Sequence, residues 1–303
     1  MGVNIKDQKI TDKYAIYCAD TTEAIKGIKD NSIGLIVYSP PFSSLYTYSN
    51  SDRDLGNSKT DDEFFTHFEF IVKEMYRILK PGRIMAVHCM NLPTSKERDG
   101  VIGIKDFRGD LIRLFQKNDF IYHSEVCIWK NPVTAMQRTK ALGLLHKQIK
   151  KDSCMSRMGI PDYVVYMRKP GDNPDRVTHT NESYPVSLWQ QVASPIWEEY
   201  NSPVWWDINQ SNTLNRLFSD EESERHICPL QLDVIERVIT LYSNPDDVVF
   251  TPFMGIGSEV YQAVKMGRKA IGIELKSAYF EQAVKNMEQL DNSQKQSSIF
   301  DFM

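Results

Sequence analysis

Asp247-Val248-Val249-Phe250-Thr251-Pro252-Phe253-Met254-Gly255-Ile256-Gly257-Ser258 is the stretch that decides the fold. Its first five residues have strand length and hold the apolar run Val248–Phe250. Gly255 and Gly257 then allow a tight turn and let a ligand approach the backbone at the start of a helix, Ser258–Met266. The next strand, Lys269–Ile273, ends beside Glu274, 17 residues after Gly257. An acid about 20 residues beyond such a turn is the expected acceptor for a ribose diol. Strand, glycine turn, helix, strand and acid together predict a nucleoside site built from Phe253, Gly255, Gly257, Ser258 and Glu274. The third glycine of a dinucleotide fingerprint is absent, because Val260 stands in its place, which disfavours a nicotinamide cofactor.

Working outward, further apolar runs suit buried strands: Tyr14–Cys18, Ile33–Tyr38, Arg83–Cys89, Ile121–Trp129 and Tyr163–Met167. Helical spacing occurs in Glu63–Leu79, Phe107–Gln116, Leu230–Tyr242 and Ser277–Leu290, the first closed by Lys80-Pro81-Gly82. Alternation of the two periods predicts a seven-stranded, doubly wound α/β sheet with helices on both faces. Two stretches break the pattern. Ser43–Asp61 is polar and turn-rich, and reads as a loop. Pro170–Glu224 is rich in Pro, Asn and Ser but carries Trp189, Trp197, Trp205 and Trp206, so it reads as an irregular lobe with a small aromatic core of its own. The chain divides accordingly into 1–169, 170–224, 225–290 and a flexible tail, 291–303.

Ser39-Pro40-Pro41-Phe42 directly follows the strand Ile33–Tyr38. Two prolines lack N–H groups and fix φ, so their carbonyls are free to face a cleft. The Ser39 hydroxyl and the Pro40 carbonyl are candidate acceptors for an amino group, and Phe42 a stacking face for a planar base. Taken alone, the motif reads as a polar turn with a core phenylalanine.

Composition narrows the class. The net charge of −4 speaks against a wholly basic nucleic-acid binder, yet Lys130–Lys169 holds nine basic residues against two acidic ones. Within it Arg138, Lys140, Lys147, Lys150 and Lys151 are candidates for DNA phosphates, the alternative being a solvated helix face. No apolar run approaches the ~18 residues of a membrane span. The polar N-terminus lacks a signal-peptide core, and the five scattered cysteines lack metal-ligand spacing. A reduced, cytoplasmic protein without a metal is expected.

Ser-Pro-Pro-Phe paired with Phe-x-Gly-x-Gly resembles the S-adenosylmethionine-dependent DNA amino-methyltransferases, over roughly Tyr14–Lys169 and Arg225–Leu290. The base motif precedes the cofactor motif, which is the permuted order of that family's β group. The resemblance implies a Rossmann-like methyltransferase sheet with an inserted target-recognition lobe at 170–224. It implies S-adenosylmethionine as cofactor, contacted also by Asp20 after Cys18-Ala19, and by His226 and Pro229 at the entry to a helix. It implies Ser39, Pro40, Pro41 and Phe42 as the catalytic motif. Serine at its first position looks most like the cytosine-N4 branch, with adenine-N6 as the alternative. The chain departs from the family in having Thr251 where Asp is frequent, and Ser258 where Thr is usual. Rival readings are a catalytically silent DNA-binding protein on the same fold, and an RNA or protein amino-methyltransferase. Double-stranded DNA is the implied partner, for a monomer or homodimer. Finally, Gln296-Ser297-Ser298-Ile299-Phe300 resembles the short peptide that binds replication sliding clamps; docking of this tail on its own domain is the equal alternative.

Overall fold

The computed structural model describes residues 4–41, 55, 58, 60–139, 142–179, 200–217 and 229–300, the side chains at 98, 138, 139, 142 and 296–300 excepted. Eleven strands are formed among these residues: β1 Ile5–Ile10, β2 Tyr14–Ala19, β3 Ile33–Tyr38, β4 Leu79–Met90, β5 Leu92–Pro93, β6 Ile104–Lys105, β7 Ile121–Ile128, β8 Asp162–Arg168, β9 Val204–Trp205, β10 Val248–Thr251 and β11 Lys269–Glu274. Nine of them make one sheet in the order β1-β2-β11-β10-β3-β4-β8-β7-β9, and β5 pairs with β6 separately.

All seven expected strands lie in the sheet. The count of seven is corrected to nine, because β1 and β9 add to its two edges. These two escape a reading by pattern for a physical reason. β1 is polar and mostly exposed along its length, and β9 is only two residues long, so neither carries a buried apolar run. The five strands β2, β11, β10, β3 and β4 run parallel to one another, whereas β1 is antiparallel to β2, and β8 is antiparallel to both β4 and β7.

β3 is buried at every residue, as a central parallel strand covered on both faces should be. Its side chains alternate. Leu35 and Val37 join one core, with Val234, Ile235 and Val238 of helix Leu232–Tyr242, Val260 of helix Ser258–Lys265 and Phe280 of helix Ser277–Phe300. Ile36 and Tyr38 join the other, with Phe64, Phe68 and Met75 of helix Asp61–Ile78 and Phe115 of helix Phe107–Lys117. From β10 the chain crosses one face to β11, and from β3 it crosses the opposite face to β4. The adjacent pair β10–β3 is therefore the topological switch point, where open α/β sheets leave a crevice at their carboxyl ends.

Three further details differ from the sequence reading. Trp205 is buried in the main core with Ile208 and Leu214, so this part of 170–224 completes the large domain and does not build a separate aromatic centre. Trp189 and Trp197 lie outside the described residues. Lys169, counted in the basic segment, is 8% exposed, and its ammonium donates to the carbonyls of Tyr76 (2.6 Å) and Leu79 (2.8 Å), closing the end of helix Asp61–Ile78. The final helix continues to Phe300 where a flexible segment from Asp291 is expected. No proline or glycine interrupts 277–300, and Asp291 accepts from the Tyr14 hydroxyl at 3.2 Å while Gln294 accepts from Lys13 at 2.9 Å. The side chains of the clamp-like segment Gln296–Phe300 lie outside the described set. Cys18, Cys89, Cys127 and Cys154 are free thiols, and no described helix is long and apolar enough to cross a membrane.

Candidate active site

A cleft opens at the carboxyl ends of β10 and β3, with an empty volume of about 960 Å³, the solvent at its mouth included. It brings both sequence motifs to one place. Ser39, Pro40 and Pro41 line it from the end of β3; Phe253, Gly255 and Ser258 line it from the loop after β10; Asp20, Pro229 and Glu274 complete it. Phe42 and His226 lie outside the described residues, so the stacking platform and the histidine of the helix entry stay as expectations.

The glycine loop has the backbone that its sequence demands. Gly255 and Gly257 have φ of +54° and +92°, the left-handed region where a side chain is penalised. A Cβ at Gly257 would also lie 3.3 Å from the Cβ of Ala283. Asn286, 1% exposed, donates to the Ile256 carbonyl at 2.8 Å and holds the loop from the last helix. Glu274 is fixed by two backbone amides: Gly255 donates to Oε2 and Lys276 to Oε1, each at 2.8 Å. A carboxylate anchored this way has its orientation fixed at the cleft wall. Asp20 caps the short helix Thr21–Ala24, its Oδ1 accepting from the Thr22 amide at 2.9 Å and hydroxyl at 2.7 Å. The neighbouring Thr21 hydroxyl donates to the Pro252 carbonyl at 2.6 Å, tying this corner to the glycine loop.

Two features of the site, one acidic and one basic, have no counterpart in the sequence reading. Glu259 also lines the cleft but is 4% exposed; burial, reinforced by the charge of Glu274, pushes its carboxyl up to about 8. Between the unfolded value near 4.5 and about 8, the folded protein binds the extra proton, so stability falls as pH rises across that window. Glu259→Gln is expected to remove this slope, while remaining at least as stable as the parent at pH 8; denaturant unfolding at pH 5 and pH 8 measures it. The second feature is His88 of β4, whose Nδ1 lies 2.9 Å from Ser39 Oγ, behind the cleft wall. Neither has a local signal, because burial of an acid and proximity of a histidine 49 residues away depend on the assembled sheet.

The described basic candidates do not line the cleft. Lys147, Lys150 and Lys151 project from helix His146–Lys151, all exposed. Lys130, by contrast, is paired with buried Asp162. Lys140 lies outside the described residues, as does the side chain of Arg138. No cluster of His, Cys, Asp and Glu that could hold a metal ion occurs among the described residues.

Comparison with known proteins places this geometry. Type II methyltransferase M.HpaI of Haemophilus parainfluenzae is 22% identical over 273 residues, 90% of this chain and 74% of the relative. M1.MboII of Moraxella bovis is 42% identical, but over 66 residues that make up only 25% of its length. Among solved structures, the Thermus thermophilus protein TTHA0409, complexed with S-adenosyl-L-methionine, superposes with a TM-score of 0.64 over 89% of this chain and 93% of its own, at 20% identity. PvuII DNA methyltransferase superposes with a TM-score of 0.63 over 95% and 94%, at 17% identity, and shares the fold. The sequence model of the N6/N4 DNA methylase family matches residues 33–285, from the first strand of the base motif to the helix that buttresses the glycine loop, and the chain belongs to that family.

Proposed function

We propose that the protein transfers a methyl group from S-adenosylmethionine to the exocyclic amino nitrogen of a flipped base in double-stranded DNA, with cytosine N4 as the acceptor. The observation that carries the reading is the single cleft shared by Ser39-Pro40-Pro41 and by Gly255, Ser258 and Glu274. The residues fit the cofactor. Glu274 would accept from the ribose hydroxyls, the open glycine loop would admit the nucleoside close to the backbone, and Asp20 and Pro229 would contact its remainder. When bound, S-adenosylmethionine supplies a sulfonium methyl that needs no further activation.

The chain's own task is then positioning. An exocyclic amino nitrogen is a poor nucleophile because its lone pair is delocalised into the ring. Ser39 Oγ and the Pro40 carbonyl accept its hydrogens, localise the lone pair and hold nitrogen in line with the methyl. Serine at the head of the motif supports cytosine. Adenine N6 is the second reading, favoured by the 34% identity over 68 residues with DNA adenine methyltransferase YhdJ of Escherichia coli. Mass spectrometry of nucleosides from DNA treated with enzyme and labelled S-adenosylmethionine tests both: N4-methylcytosine is the expected product, N6-methyladenine the result that selects the alternative.

Lys147, Lys150 and Lys151 are assigned to DNA phosphates. Replacing all three with glutamine is expected to weaken DNA binding and to lower the slope of log affinity against log salt by about 0.9 for each phosphate no longer neutralised. A wild-type slope in the triple variant, by fluorescence anisotropy from low to moderate salt, would reduce the segment to a solvated face.

A further inference from the structure

We propose that His88, oriented by Asp162 and Lys130, takes the hydroxyl hydrogen of Ser39, so that Ser39 Oγ faces the base as a hydrogen-bond acceptor and relays to His88 the proton that methylation releases. The inference rests on the amino-methyltransferase reading above.

Four residues from the ends of four neighbouring strands form one line. Ser39 follows β3, His88 lies near the end of β4, Asp162 opens β8 and Lys130 follows β7. These strands are consecutive in the sheet, and the register sets Met90 and Ile128 on either side of Asp162. His88 Nδ1 is 2.9 Å from Ser39 Oγ, and its Nε2 is 3.2 Å from Asp162 Oδ2. Asp162 Oδ1 is 2.5 Å from the Lys130 ammonium. Only the ends of the line meet solvent or ligand. Ser39 lines the cleft and the Lys130 side chain is 26% exposed, whereas His88 and Asp162 are 8% and 2% exposed.

The direction of the hydrogen bond between Ser39 and His88 follows from charge. Burial opposes ionisation of Asp162, but the charge of Lys130 and the polar N–H of His88 outweigh it and hold the carboxyl below its ordinary range. A carboxylate beside Nε2 favours the tautomer with hydrogen on that nitrogen, leaving a lone pair on Nδ1. That lone pair can only accept, so the Ser39 hydroxyl donates to it. Both lone pairs of Ser39 Oγ are then available to the amino group of the base, and polarisation along the chain strengthens the acceptor. A neutral serine thus performs the task of a carboxylate at the head of the motif. A purely structural buried histidine would not need a partner on the cleft wall.

The chemistry balances. The amino nitrogen bonds to the methyl carbon as the methyl–sulfur bond breaks, its electron pair remaining on sulfur. The cationic amino group passes a proton to Ser39 Oγ while the Ser39 hydroxyl proton moves to His88 Nδ1. Asp162 neutralises the imidazolium, which returns the proton to solvent after the product leaves. Serine is here an acceptor and relay, not a nucleophile, because the electrophile arrives already activated.

Nitrogen-15 NMR of the full chain labelled at its six histidines tests the ground state. With His88 assigned through the backbone of β4, the expected signature is a lone-pair-type Nδ1 and a protonated Nε2; a protonated Nδ1 overturns the proposal. His88→Gln, which keeps a donor for Asp162 but removes the acceptor for Ser39, is expected to lower kcat by about 100-fold or more. Its S-adenosylmethionine affinity and its KM for DNA should stay at wild-type values. His88→Asn, whose Oδ1 can stand where Nδ1 stands, should recover part of the loss. Wild-type kcat in His88→Gln overturns the relay but leaves the methyltransferase reading intact, whereas a wild-type chain that binds the cofactor and methylates no DNA overturns that reading instead. Should His88→Gln fail to fold, the native imidazole signature decides.

Discussion

Gly255→Asp is expected to lower S-adenosylmethionine affinity by about 100-fold or more, equivalent to about 2.7 kcal/mol. The Gly255 amide donates to Glu274 Oε2 at 2.8 Å, and the residue lines the cleft with φ of +54°. An aspartate there sets a second carboxylate beside Glu274, fills ligand space and repels the carboxylate of the cofactor. The left-handed backbone is not the main cause, because aspartate tolerates that region better than most residues. Gly267→Asp is the control. Gly267 also has positive φ, +75°, but its added Cβ would meet nothing within 4 Å and it does not line the cleft. Calorimetry should therefore find binding intact in Gly267→Asp and weakened by about 100-fold or more in Gly255→Asp; retained affinity in the latter would remove the nucleoside site from this loop.

The second large effect concerns the opposite end of the same strands. Arg83, 1% exposed at its side chain, is paired with Asp247, 8% exposed. The guanidinium also donates to the carbonyls of Gly34 at 2.8 Å and Asp175 at 2.7 Å, and Asp247 accepts from the Asn244 amide at 2.7 Å. One buried pair thus ties β4 to β3 and to the approach of β10, the strands that carry the two motifs. Asp247→Ala leaves the guanidinium buried and uncompensated, and is expected to cost about 3–5 kcal/mol in denaturant unfolding. A loss below about 1 kcal/mol would mean that the pair behaves as an ordinary surface bridge. Gly34→Ala should act in the same direction, since its Cβ would stand 2.6 Å from Asp247 Oδ1.

These two sites differ in how far the sequence reveals them. The glycine loop is readable because its parts are close together: a strand, a turn that needs positive φ, a helix start and an acid one strand later. The structure adds that Glu274 reaches back to the Gly255 amide, a contact consistent with the reading and invisible in it. Arg83 reads only as the beginning of a strand. A charge pair spanning 164 residues has no periodicity to betray it, and neither arginine nor aspartate is unusual at a strand end.

Errors follow the same division. The edge strands β1 and β9 are missed because one is polar and the other is two residues long, so each depends on a neighbour for its hydrogen bonds. Trp205 reads as part of a separate lobe because the composition around it is irregular. Its burial comes from pairing with β7, which local composition does not encode. Lys169 reads as a surface charge, yet the carbonyls at the end of helix Asp61–Ile78 hold it inside.

By itself, then, the sequence determined the class of fold, the seven principal strands, the glycine turn and the base motif. Those features are written in short-range spacing, periodicity and the φ preferences of glycine and proline. Only the tertiary structure decided that both motifs open on one cleft, because parallel pairing of β10 with β3 joins segments more than two hundred positions apart in the chain. It alone also set His88 behind Ser39 and Asp162 behind His88. That alignment arises from strand order and register, which are fixed when the faces of the sheet are buried and not by any local run of residues.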